Sequence, residues 1–99
     1  MEKKIIHDIE KRRFITTIDT HVAELIYERD ELQRTLSFTH TFVPKALEGQ
    51  GVGRALVQEA ITYMRSEGYT MVPVCPFVIA YAKKNIKTLE DILPQDFER

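Results

Sequence analysis

The chain has 99 residues, 43% of them hydrophobic, with 14 Lys and Arg against 15 Asp and Glu for a formal net charge of −1. That balance suits one small domain with a thin core and excludes a polyanion-binding role resting on bulk positive charge. One cysteine excludes an intramolecular disulfide, no Cys/His cluster has zinc-ligand spacing, and neither a secretory h-region nor an apolar run near 18 residues is present. The expectation is a cytoplasmic chain with no metal, nucleic-acid or membrane partner.

In chain order, Arg13 to Ile18 is rich in β-branched and aromatic residues and predicts a strand, with Asp19-Thr20-His21 as a tight connection. Val22 to Tyr27 predicts a second strand, followed by a charged link, Glu28-Arg29-Asp30-Glu31. Thr35 to Val43 alternates, placing Leu36, Phe38, His40 and Phe42 on one face and Thr35, Ser37, Thr39, Thr41 and Val43 on the other. Short polar links between three strands imply an antiparallel meander. Pro44 ends the third strand, and Gly49-Gln50-Gly51-Val52-Gly53 opens a helix whose Val52, Ala55, Leu56, Ala60 and Tyr63 keep helical spacing up to a stop at Gly68. Tyr69 to Val74 predicts a strand in which Pro73 requires an unpaired or splayed side. Pro76 stands near the first turn of a helix over Phe77 to Lys84. The tail from Asn85 is left unassigned, with Asp91-Ile92-Leu93-Pro94 as a segment able to pack back. Residues 1–99 thus form one domain, its core about 12–85, with strands first and then β-α-β-α.

A strand, a glycine-rich turn and a helix make an anion site by geometry. The first turn of a helix leaves four N–H groups without partners, the dipole adds partial positive charge, and glycines remove the Cβ atoms that keep an oxygen away. Gly49 to Arg54 reads either as a pyrophosphate cradle or as a flexible turn with an ordinary cap. Two familiar phosphate loops are excluded by spacing. Arg54-Ala55 stands where a Walker A loop needs Lys-Ser/Thr, and Arg54 stands where the dinucleotide fingerprint needs its third glycine.

The stretch Glu48-Gly49-Gln50-Gly51-Val52-Gly53-Arg54-Ala55-Leu56 resembles the acetyl-CoA loop of the GNAT acetyltransferases, Arg/Gln-x-x-Gly-x-Gly/Ala. Together with His40-Thr41-Phe42-Val43-Pro44 before it and Val72, Val74-Cys75-Pro76-Phe77-Val78 and Ala80-Tyr81 after it, the chain is similar to the minimal, single-domain (YjdJ-like) subgroup. In the usual alignment the family's Arg/Gln position falls on Glu48; a frame shifted by two residues restores Gln50. The resemblance implies an α/β (α+β) GNAT fold, a mixed, mostly antiparallel sheet with a β-α-β-α acetyl-CoA core and without the usual N-terminal helices. It implies acetyl-CoA as cofactor and transfer of its acetyl group to an amine. The alternative is a non-catalytic acyl-CoA-binding module. An open acceptor face would suit a macromolecular or extended amine, or a homodimer in which a partner completes the pocket.

Carried over residue by residue, the resemblance puts backbone contacts to the pantetheine arm on Thr41, Phe42 and Val43, and pyrophosphate contacts on Gly49, Gln50, Gly51, Val52, Gly53 and Arg54. Lys84 would reach the outer phosphates, with a solvated lysine as the plainer reading. Tyr81 matches the tyrosine that serves many GNAT enzymes as general acid for the departing thiolate; a phenol suits a thiol because their unperturbed pKa values, about 10 and 8.5, lie close together. Cys75 sits where a strand gives way to a helix, a position that favours thiolate, so it is a candidate nucleophile or a residue lining the acetyl site. His40 reads as a core histidine by alternation, or as a base for an ammonium if it faces an acceptor.

Overall fold

The computed structural model describes residues 4–97. Asp19 and Thr20 both take positive φ, 49° and 68°, in a two-residue turn of the hand that matches strand twist. This turn joins β2 (Arg13–Ile18) to β3 (His21–Asp30), and β4 (Thr35–Phe42) follows antiparallel to β3. A further strand, β1 (Ile5–Asp8), pairs antiparallel with β2 and was not expected from its short, half-polar sequence. β3 also runs through residues 28–30, part of the charged stretch expected as a link. Arg29 belongs to the same face as Tyr27, and its guanidinium meets Glu31 at 3.3 Å.

Helix α1 (Val52–Glu67) ends at Gly68 in the left-handed region (φ 77°), as expected for a glycine stop. Its buried stripe, Val52, Leu56, Val57, Ala60, Ile61 and Met64, packs against Phe14, Leu25, Phe38 and Met71 of the sheet. Each large side chain in such a stripe contributes about 1.5–3 kcal/mol when fully buried. From there β5 (Thr70–Pro73) returns parallel to β4, giving the order β1-β2-β3-β4-β5. α2 (Pro76–Lys84) lies on the same side of the sheet as α1, since Val78 meets Val57, Ala60, Leu25 and Phe38. A one-turn helix, α3 (Ile86–Leu89), leads the tail back. Ile92 accepts from the N–H of Met71 on the outer edge of β5, and the Arg65 guanidinium clasps both oxygens of Asp91 at 2.9 and 3.0 Å, holding that carboxyl below the usual carboxylate range. This covers an edge that would otherwise be free to pair with another chain.

At the far end of the sheet, His7 stacks on Phe14 with ring centroids 4.0 Å apart, meets Tyr63 edge-on at 4.2 Å and shares a hydrogen bond with the Tyr27 hydroxyl. Burial, with the Arg29 charge second, pulls the His7 imidazole below its ordinary range; burial pushes Tyr27 up to about 12. A neutral imidazole and a protonated phenol suit each other, the hydroxyl donating to Nε2.

One irregularity organises everything downstream. Tyr27 pairs with Phe38 but Ile26 pairs with His40, so Thr39 is an extra residue in β4. A bulge of this kind bends its strand and reverses the alternation beyond it. His40 and Phe42 therefore leave the face of Leu36 and Phe38, and Thr41 and Val43 take their place. The expectation of a core-facing His40 is corrected: it is exposed, opposite Ile26 on the side away from the helices, and Phe42 is 48% exposed on that same side.

Candidate active site

Pairing between β4 and β5 stops at Phe38 and Pro73. The Phe38 carbonyl accepts from both Val74 and Cys75 N–H groups, and Thr39–Phe42 run on with β3 as their only ladder partner. The bulge thus creates a splay, and Pro73, which has no N–H to give, ends β5 at its start. Across the gap the Thr41 hydroxyl lies 3.1 Å from Cys75 Sγ, at the N-cap of α2.

Beyond the splay, a short 3₁₀ turn (Lys45–Leu47) and the glycine loop bring the chain to α1. Gly51 caps the helix with φ 74°, a conformation that a side chain would strain, and supplies no side-chain acceptor. Among the described residues the N–H groups of Gly51, Val52, Gly53 and Arg54 meet no acceptor, and the first helical bond runs from Ala55 to the Gly51 carbonyl. Cβ atoms added at Gly49 or Gly51 would enter open space, whereas one at Gly53 would come within 2.8 Å of the Phe77 ring. Gly49 and Gly51 leave room beside the donors, and Gly53 lets the first turn of α2 close against that of α1.

These elements enclose an open cleft of about 800 Å³ on the helix side of the sheet, with Thr41 and Val43 on β4 and its extension, the glycine loop, Arg54 and Gln58 on α1, and Phe77, Ala80, Tyr81 and Lys84 on α2. Of the residues proposed from sequence, Thr41, Val43, Gly49, Gly51, Val52, Gly53, Arg54, Tyr81 and Lys84 line it. Four do not. The Gln50 amide folds back to the Ala46 carbonyl at 3.2 Å; the Phe42 side chain turns to the opposite face, although its backbone lies in the splayed stretch; His40 is on that face too; and Cys75 is buried behind Thr41. Glu48 does line the cleft, adding a carboxylate to a lining that also holds Arg54 and Lys84.

Sequence reasoning missed Leu47, Gln58, Phe77, Ala80 and Asn85, all in the lining. Helical spacing carried the signal for most of them. Gln58 is one turn after Arg54, and Phe77, Ala80, Tyr81 and Lys84 follow one another at intervals of three, one and three along a single face of α2.

The family model described as GCN5-related N-acetyl-transferase matches residues 13–92. The chain belongs to that family. It is 29% identical over 98 residues to Protein NATD1 of Xenopus tropicalis, covering 97% of this chain and 84% of the relative. In fold it is similar to the NMR solution structure of a GCN5-like protein from Staphylococcus aureus, with a TM-score of 0.70 and 22% identity over 92% of this chain and 87% of that one. The GNAT fold, mixed and mostly antiparallel, is therefore as the sequence resemblance implied.

Proposed function

We propose that this GNAT domain binds acetyl-CoA in the cleft and transfers its acetyl group to an amine. The observation that supports this reading most is the joining of two features in one space: a splay that leaves β4 backbone unpaired, and a helix start with free N–H groups and room for an anion. The residues fit the cofactor, because Gly49 and Gly51 line the same cleft as Val52, Gly53 and Arg54, and a Cβ added at either would meet nothing within 4 Å. Gly51, Val52, Gly53 and Arg54 would hold the pyrophosphate through backbone N–H groups, with the Arg54 side chain adding charge and Lys84 serving the outer phosphates. The arm would lie along Thr41–Val43 in the manner of an added strand.

Bound acetyl-CoA supplies an acyl group activated as a thioester. The chain's own task is to orient it and to move protons. Thr41, backed by the buried Cys75, forms the inner end of the site, where backbone N–H groups of β4 left without a β5 partner are available to polarise the carbonyl. Tyr81, half-buried in the lining, gives a proton to the departing sulfur. His40, on the far side of the bulge, accepts a proton from the incoming ammonium. In balance, the acetyl carbon exchanges its C–S bond for a C–N bond, the nitrogen loses two protons from the ammonium state, and the thiolate gains one.

Turnover is the test. Release of free thiol from acetyl-CoA with a panel of amines should be detectable, and Tyr81→Phe should lower kcat by about 10²-fold. Binding without release for any amine would favour an acyl-CoA-binding module instead. Intact mass after incubation with acetyl-CoA decides the part of Cys75: an acetyl adduct lost in Cys75→Ala indicates a covalent route, and an unmodified chain indicates direct transfer.

A further inference from the structure

Resting on the acetyl-CoA reading above, we infer that Glu48 is a repulsive element of the cofactor cleft. It lowers the affinity for the diphosphate, so that the CoA product is held less firmly than the donor groups alone would hold it. Three charged side chains line the cleft: Arg54 on α1, Lys84 on α2, and Glu48, which closes the 3₁₀ turn just before Gly49. None of the three has a side-chain hydrogen bond or ion pair among the described residues. The carboxylates of Asp8, Glu24, Glu31 and Asp91 each meet an arginine within 3.5 Å. Glu48 is left unneutralised in a cavity whose other polar features favour an anion.

Its place in the chain is fixed. The Glu48 N–H donates to the Lys45 carbonyl at 3.2 Å, and its backbone is extended, with φ −63° and ψ 147°. Gly51, the first of the free N–H donors, is three residues further on, so the two Cα atoms lie at most about 11 Å apart. That reach is about one Debye length at 0.1 M salt, and a charge held there is felt at the cradle. The carboxylate can act in two ways, and both subtract from binding. Facing the phosphates, it repels them; reaching for Arg54 or Lys84, it withdraws a cation from the ligand. The backbone donors are untouched, so the ligand is held in the same place but less tightly. Acetyl-CoA and CoA carry the same phosphates, so both are weakened alike, and the effect falls on KM rather than on the chemical step.

The experiment is calorimetric titration of acetyl-CoA, and separately of CoA, into the wild type, Glu48→Asp, Glu48→Gln and Glu48→Lys, all altered at an exposed position. At about 20 mM NaCl, Glu48→Gln should lower both Kd values by about threefold or more and Glu48→Lys by about tenfold or more, with Glu48→Asp within about twofold of the wild type. At about 500 mM NaCl the gap between the wild type and Glu48→Gln should close to less than about twofold. Equal or weaker binding by Glu48→Gln, a gain that salt leaves unchanged, or an order of affinities that does not follow charge would overturn the repulsive role while leaving the cofactor site standing. So would Mg²⁺ tightening acetyl-CoA binding to the wild type but not to Glu48→Gln, since the carboxylate would then recruit a cation to the diphosphate. Failure of the folded wild type to bind acetyl-CoA at either salt would overturn the cofactor reading itself.

Discussion

Gly51 and Gly53 are two residues apart in the same motif and do different work. At Gly51 the backbone is left-handed and the missing Cβ leaves room in the cleft; at Gly53 the backbone is helical and the missing Cβ makes room for Phe77. Gly51→Ala should therefore lower stability by about 1 kcal/mol through strain and weaken acetyl-CoA binding severalfold. In Gly53→Ala the methyl meets the tip of a ring that is 41% exposed and free to turn aside, so the thermal midpoint should move less. Urea unfolding and calorimetry on both variants check the contrast; equal losses would refute it. The glycine spacing was legible in the sequence as an anion loop, but these separate reasons were not, because one rests on a φ angle and the other on a contact between two helices.

At the scale of elements, β4 shows how a good pattern misleads. Thr35 to Val43 alternates without a break, and nothing in Thr39 announces an extra residue: it is an ordinary β-branched strand former, not a glycine. Only pairing with β3 reveals that the alternation changes face, which moves His40 and Phe42 out of the core and Thr41 into the cleft. The end of β5 was better marked, since Pro73 required a break in pairing and the structure has one there. β1 escaped notice because four residues with His and Asp among them carry too little period to stand out, and its place is fixed by β2 and by the stacking of His7 on Phe14. Removing Thr39 leaves Ile26 opposite His40 and Leu25 opposite Thr41 while straightening the strand. The deletion variant should keep a native circular-dichroism spectrum and bind acetyl-CoA at least tenfold more weakly. Unchanged affinity would show that the bulge does not make the site.

Across the whole molecule, stability and binding are separated in space, with the His7 cluster at one end of the sheet and the cleft at the other side of α1. Because the His7 pKa is lowered in the fold, the unfolded chain takes up a proton first as pH falls below about 6.5, and stability declines from there until the folded imidazole also titrates. Asp91, likewise lowered, contributes its loss only in the acid range below about 4. The urea midpoint should fall between pH 7 and pH 5, and His7→Phe should flatten that slope; an unchanged slope would place the titration elsewhere. None of this bears on the cleft, which is tested most directly by titrating acetyl-CoA into the protein in a calorimeter. A single-site isotherm that weakens in Gly51→Ala is the predicted result. Absence of heat at millimolar acetyl-CoA, with the chain folded, would contradict the account.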